Sequence, residues 1–184
     1  MGQVDHSSAT SASAVSSLRA PDSDLALQTG PNAALRLLRN CVVTNSSGCH
    51  RYGYWNEQAL FDGSPRTGWC TPSRKVRRVE FLEIDFGRTA AVCTMRLLSR
   101  TINPKAGFPG LVRILVPRDT GWEETAAIRT APNDTDVWHQ YEVPRAPTTR
   151  WRIEFDEIAL RPEGKYFLQF MCLELYEAAQ GVSS

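Results

Sequence analysis

From Cys41 to Glu177 the chain is cut into short segments that alternate in polarity and are separated by clusters of Gly, Pro and Asn. Residues 79–86 read Val-Glu-Phe-Leu-Glu-Ile-Asp-Phe. Leu82, Ile84 and Phe86 share one face and Glu83 and Asp85 the other, which is the period of a half-buried strand. Gly87 is expected to end it. Further strands are expected over 92–98, over 111–116 with Val112, Ile114 and Val116 inward, and over 138–143. Trp151, Ile153 and Phe155 alternate with Arg152 and Glu154 in another, and residues 167–176 place Met171, Leu173 and Leu175 on one face. No long stripe of period 3.6 and no internal repeat interrupts this pattern. The expected fold class is therefore all-β, an antiparallel β-sandwich or jelly roll. Residues 33–38 read either as a short helix or as the lead-in to a first strand.

The chain has 184 residues, enough for one domain with a core that needs no staples. The domain is expected over 32–178. Residues 1–31, rich in Ser, Ala, Asp and Gln, cannot bury enough apolar surface to fold alone, so they read as a flexible or partner-ordered tail. Residues 179–184 form a short second tail. Lys and Arg number 21 against 20 Asp and Glu, and so balanced a charge does not point to nucleic acid or to an anionic membrane. The N-terminus lacks the basic start and apolar middle of a secretory signal, and no apolar run is long enough to span a bilayer, so a cytoplasmic protein is expected. The five cysteines, Cys41, Cys49, Cys70, Cys93 and Cys172, are odd in number and show no CxxC spacing. They read as small thiols in a reducing compartment, with a Cys49–Cys70 bridge between two loops left open.

Residues 59–69, Ala-Leu-Phe-Asp-Gly-Ser-Pro-Arg-Thr-Gly-Trp, follow the pattern A-x-x-D-G-x-x-x-T-x-W. Residues 81–87, Phe-Leu-Glu-Ile-Asp-Phe-Gly, follow W-L-x-I-D-L-G with Phe81 in place of Trp, and the strands at 151–155 and 171–176 follow in order. In these motifs the chain resembles the discoidin family (coagulation factor 5/8 type C domains), whose fold is a galactose-binding-domain-like jelly roll. The likeness covers roughly 41–177. The residues also explain themselves locally. Asp62-Gly63 suits a tight turn with Gly63 at positive φ, the Asp62 carboxylate can accept from backbone amides, Thr67 can bond back across the loop, and Trp69 can anchor the core.

The resemblance implies a candidate calcium site in this loop, with Asp62 and Thr67 as side-chain ligands and carbonyls from Leu60 or Ser64. The last-strand position that carries a Glu ligand in the family falls on Cys172, and Glu174 stands two residues further on. The resemblance also places binding at the loops of one end of the sandwich. There the run His50-Arg51-Tyr52-Gly53-Tyr54-Trp55 is dense in aromatic and polar groups, suited to stacking on a sugar ring and bonding its hydroxyls. Arg100, Asn103 and Arg161 come from loops expected at the same end, and Phe108 could stand exposed there. The alternative for Tyr54 and Trp55 is to fold back as a cap.

No catalytic fingerprint is present. If the cleft is catalytic, His50, Tyr52, Asp156 and Glu157 are its candidates for acid–base work. The leading reading is a binding module for a glycan or a related small polar ligand. The alternatives are a small cytosolic enzyme, cyclase- or isomerase-like, and an intracellular adaptor with a protein partner or a second copy of itself.

Overall fold

The computed structural model describes residues 34–50, 55–99, 107–131 and 137–179. Two antiparallel five-stranded sheets face each other. The strands are β1 (Leu35–Leu37), β2 (Val42–Ser46), β3 (Trp69–Cys70), β4 (Glu80–Ala90), β5 (Val92–Ser99), β6 (Leu111–Arg118), β7 (Gly121–Arg129), β8 (Trp138–Glu142), β9 (Thr148–Asp156) and β10 (Gln169–Ala178). One sheet runs β1-β10-β5-β8, with β3 also on β10, and the other runs β2-β4-β9-β6-β7. A 3-10 turn, Glu57–Phe61, is capped by the Asn56 side chain, which accepts from the Ala59 amide. The segment at 33–38 resolves as strand, not helix.

The alternation read from the sequence is the alternation of burial. Leu82, Ile153 and Ile114 lie side by side across β4, β9 and β6 and are fully buried. Leu173 and Leu175 face them from β10, beside Leu97 and Met95 of β5. Trp69 lies between the sheets, its ring 5.9 Å from Phe155 on one side and 6.3 Å from Phe170 on the other.

Three expectations are corrected, and one strand is added. Gly87 does not end β4. It sits at φ 68° in a bulge where the Asp85 carboxylate accepts from its amide, and pairing resumes at Ala90 with Thr148. Met171 does not share a face with Leu173 and Leu175. A register shift between Phe170 and Cys172 turns it into a second small cluster with Leu98 and Cys172. Phe108 is 4 % exposed, packed at 5.5 Å against Phe170 and 4.6 Å against His139, because an aromatic ring at the rim gains more from the core than from water. The edge strand β7 was not foreseen, since its Glu-Glu-Thr-Ala-Ala run packs only Ala126 and Ile128 on the core.

Candidate functional site

Strand register fixes which connections share an end. Ser46 pairs with Leu82, Glu80 with Phe155, Leu111 with both Asp156 and Arg129, Ser99 with Phe170, and Leu98 with Trp138. The connections leaving β2, β5, β7 and β9 therefore all start from one end of the sandwich.

Three described pieces of that end, residues 47–50, 68–74 and 161–168, are tied together by backbone hydrogen bonds. The His50 amide donates to the Cys70 carbonyl at 2.6 Å, and Arg74 and Tyr166 exchange a pair of bonds at 2.9 Å. Thr71 takes the Leu168 amide on its hydroxyl at 3.0 Å, and the Trp69 indole donates to the Gly48 carbonyl at 3.1 Å. Gly68 is required here. A Cβ on it would lie 2.1 Å from the Phe170 carbonyl oxygen.

On this scaffold His50 stands exposed beside Cys70. The Arg161 guanidinium lies 3.9 Å over the Phe167 ring and pairs with Glu163 at 3.2 Å. Its charge reaches Cys70, whose thiol is nonetheless pushed up to about 12, by burial first, with Arg161 opposing and Cys49 adding. Cys49 and Cys70 are not joined in a disulfide. His50 and Arg161 thus lie at the same end of the sandwich, both near Cys70. Trp55 packs instead on Leu98, Met171 and Cys172, the cluster on the outer face of the first sheet, which is the capping alternative. Arg51, Tyr52, Tyr54, Arg100 and Asn103, and the tail 1–31, lie outside the described residues.

Sequence reasoning missed Glu80. It occupies an inward position of β4 and is 1 % exposed, with Arg74 at 3.0 Å and Arg78 at 3.2 Å. Arg74 also donates to the Ser47 carbonyl at 2.8 Å, so one buried carboxylate organises two loops. The signal was legible: Glu80 shares the parity of Leu82, Ile84 and Phe86 and directly follows an arginine-rich run.

Of the catalytic candidates, Asp156 and Glu157 are engaged by arginines. Asp156 accepts from both terminal nitrogens of Arg113 at 3.2 Å and from the Glu157 amide at 2.7 Å. Glu157 pairs with Arg129 and sits at φ 54°.

In the Asp-Gly loop, one Asp62 carboxylate oxygen accepts from the Ser64 amide at 2.7 Å and the other from the Thr67 hydroxyl at 2.6 Å. The Cys172 thiol donates to the Ser64 carbonyl at 3.4 Å. That thiol is pushed up to about 12, by burial first and then by the Asp62 and Glu174 charges. Glu174 is turned to Arg96 at 2.8 Å and to the Tyr176 hydroxyl at 2.7 Å. Calcium takes six to eight oxygens and favours more than one carboxylate. This loop offers the Asp62 carboxylate, the Thr67 hydroxyl and the Ser64 carbonyl, with Glu174 turned away to Arg96 and the Cys172 thiol in place of a further oxygen. Among the described residues no group of three or more His, Cys, Asp or Glu is placed to hold a metal ion.

Two facing antiparallel sheets with an ordered loop end define the class of jelly-roll sandwich domains. A family model for the F5/8 type C domain matches residues 42–161, and the chain belongs to that family. Solved structures of the same fold include the family 32 CBM of Clostridium perfringens NanJ in complex with galactose. It is 15 % identical at a TM-score of 0.59, covering 78 % of this chain and 99 % of that one. CpGH89CBM32-5 of Clostridium perfringens, in complex with GalNAc-β-1,3-galactose, is 15 % identical at 0.61, covering 76 % and 99 %. Allantoicase of Saccharomyces cerevisiae is 15 % identical at 0.55, covering 78 % of this chain but 43 % of that one. No curated protein matches the chain.

Proposed function

We propose that the chain is a non-catalytic binding module that recognises a glycan through the loops at the His50–Arg161 end, without calcium. The observation that carries this reading is the locked junction of residues 47–50, 68–74 and 161–168, which holds the exposed His50 at the same end as the stacked Arg161–Phe167 pair. A pre-formed site gives up little ordering entropy on binding, which is what a small sugar needs to bind usefully. Two modules of the same fold were solved with galactose-containing sugars, and terminal galactose and GalNAc are the first ligands to try. The fold by itself does not separate binder from enzyme. The engagement of Asp156 and Glu157 by arginines favours the binder. A glycan array probed with the whole chain, with calcium and with EDTA, tests the proposal. Binding of the same sugars under both conditions supports it, and a folded protein that binds none contradicts it.

A further inference from the structure

We propose that the loop after β3 makes this end selective for an anionic glycan, one bearing carboxylate or sulfate groups. This rests on the glycan-binding reading above and narrows it. Balanced net charge hides a local excess. The run Arg74-Lys75-Val76-Arg77-Arg78 has four cations in five residues, and Arg161 and Lys165 lie on the neighbouring loop.

These cations divide by role. Arg74 and Arg78 hold the buried Glu80 and the Ser47 carbonyl, so they fix the loop. Arg161 stacks on Phe167 and its charge is matched by Glu163, so it adds no excess positive charge. Lys75 and Arg77 are exposed and form no ion pair among the described residues, and Lys165 is exposed with the Glu163 carboxylate near enough to feel its charge. The paired bonds between Arg74 and Tyr166 join the two loops at that point. Lys75 follows one bridged residue and Lys165 precedes the other, so the two lysines flank the same side of the antiparallel bridge. Like charges so placed repel, and the neighbourhood is relieved by an anion that both can reach.

Exposed charges on fixed backbone at a loop end also steer an anionic ligand inward at low salt. Val76, 75 % exposed between Lys75 and Arg77, offers a small apolar surface of the kind that meets the C–H face of a sugar ring. A lipid surface is the less favoured occupant, because Phe108 is in the core and does not stand out as an apolar spike.

The test is calorimetry of the whole chain with polygalacturonate, heparin and neutral galactan, at low and high salt. Vesicles of phosphatidylcholine with phosphatidylserine form a parallel arm. The variant is Lys75→Ser/Arg77→Ser, which leaves Arg74, Arg78 and Glu80 untouched, with its thermal midpoint measured alongside. The inference expects an acidic glycan to be bound more tightly than galactan, the preference to fall with salt, and the variant to lose about tenfold toward the acidic glycan alone. Equal affinity for galactan and the acidic glycans overturns the inference and leaves the glycan reading standing. No binding to any glycan overturns both. Binding to anionic vesicles but not to acidic glycans assigns the patch to lipid and overturns the inference.

Discussion

The Cys172 thiol donates to the Ser64 carbonyl across 3.4 Å, closing the Asp-Gly loop onto the last strand from the position where calcium-binding relatives are expected to carry a ligand carboxylate. Asp62 and Thr67 complete the closure at 2.6 Å. The loop is thus held by its own hydrogen bonds. The thermal midpoint is expected to be the same in excess calcium and in EDTA. Thr67→Val is expected to cost about 1 kcal/mol, and calcium is expected not to restore it. A midpoint that rises with calcium in the native protein contradicts this.

Gly68→Ala should be among the most disruptive small substitutions in the chain. The added Cβ meets backbone, the Phe170 carbonyl and the Met171 Cα at 2.1 and 2.8 Å, and neither can swing away as a side chain would. A loss of roughly 3 kcal/mol or more is expected by denaturant titration, since strain of this kind belongs to the large-effect tail of point mutants. Alanine at Gly63, which faces open space at φ 73°, should cost only its backbone strain of about 1 kcal/mol.

Glu80→Gln leaves Arg74 and Arg78 around an uncharged group at a site 1 % exposed. Breaking a buried pair from one side costs about 3 kcal/mol, although the outer exposure of Arg78 softens it. Chemical denaturation would check the magnitude. Amide exchange should quicken at Arg74 and Tyr166 together, because the carboxylate holds the loop that Tyr166 is bonded to.

Acid should loosen β1 before the core. Glu177 is held below the ordinary carboxylate value of 4.5, first by the hydrogen bond from Arg88, against the cost of burial, and then by Arg36. Arg88 is raised by the same bond, so the two partners agree. A lowered carboxylate contributes its stability fully above the ordinary value and loses it as pH falls through the folded one. Arg36 is also the strand partner of Glu177. The midpoint of the native chain should therefore fall more steeply below about pH 4.5 than that of Glu177→Gln. Parallel curves would contradict it.

The sheets were legible because their signal is local. Leu82, Ile84 and Phe86, or Trp151, Ile153 and Phe155, declare a buried face within a few residues. The ends of strands were less so. Gly87 reads as a terminator, yet the partner strand beyond the bulge recaptures the chain at Ala90. Met171 looks inward by parity until a bulge one residue away reverses it. The Asp62–Thr67 bond was foreseeable from the motif, whereas the partners of Arg161 were not, nor which of its two alternatives Trp55 would take. Which of two faces a loop residue joins depends on partners far along the chain, here Phe167 for one and Leu98 and Cys172 for the other.

The central claim is that the His50–Arg161 end binds sugar. Isothermal titration of the whole chain with its best glycan from the array, against His50→Ala and Arg161→Ala, tests it most directly. The account predicts that each variant keeps its thermal midpoint within a few degrees and loses about tenfold or more in affinity, as expected when one good polar contact is removed. Native affinity in both folded variants would place the sugar elsewhere on the sandwich and contradict the account.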